Sequence, residues 1–179
     1  MSTGTQSAPR RRQTTLDMVR SLAVVAAVVA TIVLLVPRPD GPIDQPVPVE
    51  QVAAQSAPDA DFPLVVPDLP EGWDPNSVRL DAAGPDGVTT WHVGYVTPSG
   101  GYAGVERARD VTDGWVSEQT SEGRPDDEAA TVDVSGETWQ LLRSTDPRRT
   151  SLLIERDGVT TVVTGSALLP ELITLAETT

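Results

Sequence analysis

Four glycine turns set the pattern of the C-terminal two thirds of this sequence. They are Asp86-Gly87, Ser99–Gly101, Ser135-Gly136 and Asp157-Gly158, each lying between β-prone runs. Glycine adopts the positive φ that tight hairpins require, and strands joined by short turns pair antiparallel. The clearest case is TSLLIERDGVTTVVTG, Thr150 to Gly165, where two apolar, β-branched runs flank Asp157-Gly158. Further strands are predicted at Ser77–Asp81, Thr89–Thr97, Tyr102–Arg107, Ala130–Ser135 and Thr138–Arg143. That makes about six to seven strands.

Two segments carry helical signals. DVTDGWVSEQTS, from about Asp110, has Val111, Trp115 and Val116 near helical spacing, with Asp110 or Thr112 as N-cap. In LLPELITLAE, Pro170 suits the first turn, and Leu169, Leu172, Ile173 and Ala176 follow the i, i+3, i+4, i+7 pattern. The expected fold is an α+β domain, an antiparallel β-sheet with two helices on one face. It occupies residues 61–179.

The N-terminal third has a different character. Residues 1–17 read as a disordered cytoplasmic tail. Residues 18–36 are predicted as a transmembrane helix, because Ser21 to Val36 is an unbroken uncharged run. With Met18 to Arg20 it spans roughly 28 Å as a helix, near the hydrocarbon thickness of about 30 Å. The Arg10–Arg12 cluster and Arg20 precede the run, which puts the N-terminus in the cytoplasm and the rest outside. The sequence PRPDGP follows directly, without small residues at a cleavage position, so the segment reads as an uncleaved signal anchor. Six prolines in residues 37–60 predict an extended linker without helix or central strand.

Charge and residue types exclude several functions. The chain carries a formal net charge of −13, and residues 40–179 hold 25 acidic residues against 8 arginines. Such a surface does not displace counterions from nucleic-acid phosphates. Cysteine is absent and histidine occurs once, which removes disulfides, thiol nucleophiles and Cys-based zinc sites. No cofactor or metal is implied.

His92 is the one histidine. Along Thr89–Val96 the side chains alternate, with Trp91, Val93 and Tyr95 on one face and His92, Gly94 and Val96 on the other. The first face reads as core, which leaves His92 on the second face, structural or solvent-facing. Histidine as a residue type serves as general base or pH sensor, but no nucleophile motif or orienting carboxylate adjoins it in sequence. The acidic loop Asp126, Asp127, Glu128 lacks the alternating spacing of a calcium loop and reads as solvated. Of the four tryptophans, Trp91, Trp115 and Trp139 are expected in the core, and Trp73, in a turn, as core plug or ligand platform. Asp146 to Arg149 is a turn with a local positive patch. His92 and Trp73 are therefore the two candidate ligand contacts, and no catalytic residue is assigned.

Taken in order, RRRQTTLDMVRSLAVV, the Pro-rich spacer, FPLVVPDLPEGW, TWHVGYVTPSGGYAGVE and GVTTVVTGSALLPELITLA resemble single-pass actinobacterial envelope proteins grouped as domain of unknown function 4245. The resemblance supports an anchored topology and implies no activity. The reading is a membrane-anchored, extracytoplasmic binding, sensing or accessory module without chemistry of its own, contacting the membrane through one helix and an envelope protein as partner. The alternatives are a carboxylate-based hydrolase of cell-wall glycan and a structural partner of a larger membrane complex.

Overall fold

A computed structural model describes residues 11–35, 47–82, 84–125 and 130–179. The chain divides into two units, Met1–Asp44 and Gln45–Thr179. In the first, the described element is helix α1, Arg11–Leu35, whose side chains are described at 18–29 and 31. Helix therefore starts seven residues before the expected boundary at residue 18, and residues 1–10 of the expected tail lie outside the described residues. Among the described residues no helix is long and apolar enough to cross a membrane. Met18, Val19, Leu22, Val24, Val25, Val28 and Val29 are 53–75% exposed.

The second unit is an α+β domain. Its elements are α2 (Val49–Ser56), β1 (Asp74–Asp81), β2 (Thr90–Val96), β3 (Tyr102–Arg109), α3 (Asp113–Gln119), β4 (Arg124–Pro125), β5 (Thr131–Val134), β6 (Glu137–Arg143), β7 (Thr150–Arg156), β8 (Val159–Gly165) and α4 (Leu169–Ala176). One antiparallel sheet has the order β1-β2-β3-β8-β7-β6-β4, with β5 also paired to β6. The predicted turns close its hairpins. Asp157 and Gly158 both take positive φ, 54° and 74°, and join Arg156 to its partner Val159. Ser135 and Gly136 repeat this between Val134 and Glu137. Positive φ at both central residues twists the turn as the flanking strands twist.

Alternation sorts the sheet into two covered faces. Trp91, Val93, Tyr95, Val105, Leu152 and Val163 form the larger core with Leu172, Leu175 and Ala176 of α4. Ala108 and Val162 lie on the opposite face, packed on Trp115 of α3 and flanked by Leu153 and Val116. The sequence places both helices on one face, and the structure puts α3 and α4 on opposite faces. The reason lies in β8, where adjacent Val162 and Val163 point oppositely and both need cover. Trp91, Trp115 and Trp139 are fully buried. At 150–250 Å² per ring and ~25 cal/mol per Å², each contributes roughly 4–6 kcal/mol as an upper bound. The Trp91 indole donates to the Val65 carbonyl and the Trp115 indole to the Thr90 hydroxyl, both at 2.8 Å.

The linker reading is corrected at its C-terminal end. The expected spacer contains α2, whose Val49 and Ala53, one turn apart, are buried in the larger core. The prolines flank this stretch at Pro48 and Pro58 and leave nine residues between them proline-free, enough for two turns of helix. The compact unit thus starts at Gln45, not residue 61. Val36 at the end of the expected membrane helix, residues 37–46 of the expected spacer, and Asp126, Asp127 and Glu128 lie outside the described residues.

Candidate functional site

The β1-β2-β3 register builds a polar cluster on the His92 face. Arg79 pairs with His92 and His92 with Glu106, while Ser77 pairs with Gly94 and Gly94 with Gly104. Paired residues point the same way, so Ser77, His92 and Glu106 converge from three neighbouring strands. A β-bulge at Asn76 breaks the β1 register directly before Ser77.

His92 is bonded through both ring nitrogens. Nδ1 lies 2.5 Å from Glu106 Oε1, and Nε2 lies 2.8 Å from Ser77 Oγ and 3.4 Å from the Tyr102 hydroxyl. A carboxylate only accepts, so in the neutral ring the Glu106 contact fixes the proton on Nδ1. Nε2 is then left to accept from the Ser77 hydroxyl. His92 is 4% and Glu106 7% exposed, whereas Ser77 and Tyr102 are half-buried. The solvent-facing alternative for His92 is thereby overturned, and its partners are distant in sequence.

Two glycines shape the cluster. A Cβ on Gly94 would stand 2.5 Å from both Ser77 Oγ and the Tyr102 hydroxyl, and one on Gly104 would stand 2.9 Å from the same hydroxyl. Without side chains at this pair, the Tyr102 ring lies across the sheet and reaches His92. Burial and then the charge of Glu106 push the Tyr102 phenol above its ordinary range, against the Ser77 hydrogen bond and the charges of Arg79 and Arg149. The phenol is therefore a neutral donor at neutral pH. Arg149 donates to the Ser121 hydroxyl at 2.9 Å. In the same turn Arg148 donates to Asp146 and holds that carboxyl below its ordinary range. The DPRR patch is thus engaged in its own turn and in the Ser121 loop.

Trp73 occupies a separate groove. It meets Tyr95 edge-on, ring centroids 6.2 Å apart, and lines a space of about 210 Å³ with Val49, Glu50, Val66, Asp68 and Leu69. Burial and the Glu50 charge push the Tyr95 phenol up to about 12. A polar cleft of about 340 Å³ is lined by Asp61, Asp86, Asp110 and Arg109. There Asp61 lies 3.9 Å from Arg109, and Asp86 accepts from Thr112 at 2.6 Å. Among the described residues no group of three or more His, Asp or Glu side chains could hold a metal.

Sequence reasoning singled out His92 and missed Ser77, Glu106 and Tyr102. For Glu106 the sequence offers the hairpin but not its register, which the structure supplies. The predicted hairpin turns between Thr97 and Gly101, whose backbones bond each other at 2.8 Å. Counting five residues back and five forward pairs His92 with Glu106.

The chain belongs to a family of proteins of unknown function, DUF4245, whose model matches residues 10–179. None of the curated proteins compared matches it.

Proposed function

We propose that this protein is a single-pass envelope protein whose acidic α+β domain stands outside the cell membrane as a binding or accessory module. The observation that carries the binding reading is the preformed groove at Trp73, where an aromatic ring held edge-on by Tyr95 stays half-exposed between Glu50 and Asp68. Aromatic surface with a few placed polar groups is the usual make-up of a ligand pocket. Of the two candidate contacts, Trp73 is the reachable one, since His92 is buried. The membrane reading is supported by the exposed apolar side chains of α1. Surfaces of that kind mark membrane or protein contacts, and the uncharged run continues to Val36.

Two experiments test this. The chain has no cysteine, so Glu155→Cys, at an exposed position, introduces one thiol into the domain. A membrane-impermeant maleimide should label it in intact cells, and labelling only after lysis overturns the topology. A photoreactive side chain at Val66, on the groove rim, should give a discrete cross-linked species in membranes. The same species surviving Trp73→Ala overturns the groove as contact surface.

A further inference from the structure

The side-chain hydrogen bonds that join β1 to β2 and β2 to β3 on this face have the connectivity of a nucleophile, its base and an orienting carboxylate. We propose that Ser77, His92 and Glu106 form a serine-hydrolase relay whose substrate is a carboxylic ester. This activity goes beyond the binding reading and does not depend on it.

Three observations support the assignment. The first is the order of contacts: Ser77 Oγ to Nε2 at 2.8 Å, and Nδ1 to Glu106 at 2.5 Å. That is the arrangement by which a hydroxyl is activated, with the base held in one tautomer by a buried acid. The second is a burial gradient. Glu106 and His92 are sealed, while Ser77 is half-buried on β1, the terminal strand of the sheet order. Substrate therefore approaches from the sheet edge without crossing the core. The third is the Tyr102 hydroxyl, which stands next to both Nε2 and Ser77. Its contact with Nε2, at 3.4 Å, is loose, and burial keeps the phenol protonated. A neutral donor beside the nucleophile can turn to the oxygen that gains charge as the carbonyl is attacked.

The chemistry balances with water as co-reactant. Ser77 Oγ bonds to the ester carbonyl carbon as its proton passes to His92 Nε2, and the carbonyl electron pair moves to oxygen facing Tyr102. The carbon–alkoxy bond then breaks, and the alcohol leaves with the proton from Nε2. A water molecule next gives a proton to Nε2 and adds to the acyl–Ser77 ester. Collapse returns that proton to Oγ and releases the carboxylic acid. Glu106 is the positioning residue throughout and keeps its charge. One phenolic donor, where acyl-transfer sites generally aim several, favours esters over the more demanding amides.

The test uses the full chain in detergent micelles with a fluorophosphonate probe, which forms a phosphorus–Oγ bond and expels fluoride. Wild-type protein should gain one adduct on the peptide containing Ser77. It should also hydrolyse p-nitrophenyl acetate faster than Ser77→Ala, which retains the same melting temperature within a few degrees. His92→Gln should slow adduct formation by about 10²-fold or more, the contribution of a general base. Glu106→Gln should slow it while leaving the site of modification unchanged. An unlabelled native wild-type protein overturns the proposal, as does an adduct on another serine or equal labelling in native and urea-unfolded protein. A purely structural cluster gives the first of these outcomes whatever the variants do to folding.

Discussion

Removing the Glu106 carboxylate should be among the most damaging single changes on the His92 face. Glu106→Ala leaves the His92 Nδ1 donor without the acceptor it now has at 2.5 Å, at a site where the ring is 4% exposed. An orphaned buried donor costs about 1–3 kcal/mol, and a hydrogen bond to a charged acceptor contributes about 1.5–3 kcal/mol. A loss of about 2–3 kcal/mol is expected. All four tryptophans lie in the unit 45–179, so fluorescence in urea reports this unit even in the full chain. With a urea slope near 2 kcal/mol per M, the midpoint should fall by roughly 1–1.5 M. The decisive variant is the double change His92→Phe with Glu106→Leu, which replaces both partners by apolar groups of similar size. Replacing both members of a buried pair is close to neutral, so the double variant should recover most of the loss. If it is as unstable as the two single changes added together, the pair is not a self-contained unit and the reasoning fails.

Two further changes probe the surroundings. Gly94→Ala puts a methyl group 2.5 Å from Ser77 Oγ and the Tyr102 hydroxyl. Overpacking of this kind costs about 1–3 kcal/mol, and in a Tyr102→Phe background the urea midpoint should drop by less, which a double-mutant cycle measures. Glu171 is pushed upward by burial, but bonds from the Ser99 hydroxyl and amide, the Thr97 hydroxyl and the Leu168 amide outweigh this and hold its carboxyl below the ordinary range. A lowered folded value means that stability is present above the ordinary carboxylate range and lost as pH falls through the lowered value. Thermal melts should therefore show Glu171→Gln below wild type at pH 7, with the gap closing on acidification; a gap that persists unchanged at pH 3 contradicts this.

The fold was readable where local chemistry decides it. Asp157-Gly158 and Ser135-Gly136 each close a two-residue turn, and the alternation of Trp91, Val93 and Tyr95 marks the larger core face. Proline counting misjudged residues 49–56 because it averaged over 37–60, whereas helix needs only a proline-free stretch with Val49 and Ala53 one turn apart. The placement of α3 was hidden because Trp115 shows an apolar helix face but not which side of the sheet receives it. That is settled by Ala108 and Val162, brought together by the β3-β8 pairing, in which Ala108 stands opposite Thr160 and Glu106 opposite Val162.

The cluster divides the same way, and the division explains why it escapes motif reading. His92 and Glu106 belong to one short hairpin, so the turn fixes their meeting. Ser77 comes from β1, joined through residues 82–89 and shifted by the bulge at Asn76, and no local rule sets that register. Triads built on a nucleophile elbow place the nucleophile at a strained strand-to-helix turn that leaves a mark in sequence. Here the three groups lie on adjacent strands, and the spacings 77, 92 and 106 follow from strand length, loop length and the bulge at Asn76. A constellation of this kind is specified by sheet register, so a two-residue slip of β1 against β2 would part Ser77 from His92 without altering any of the three members.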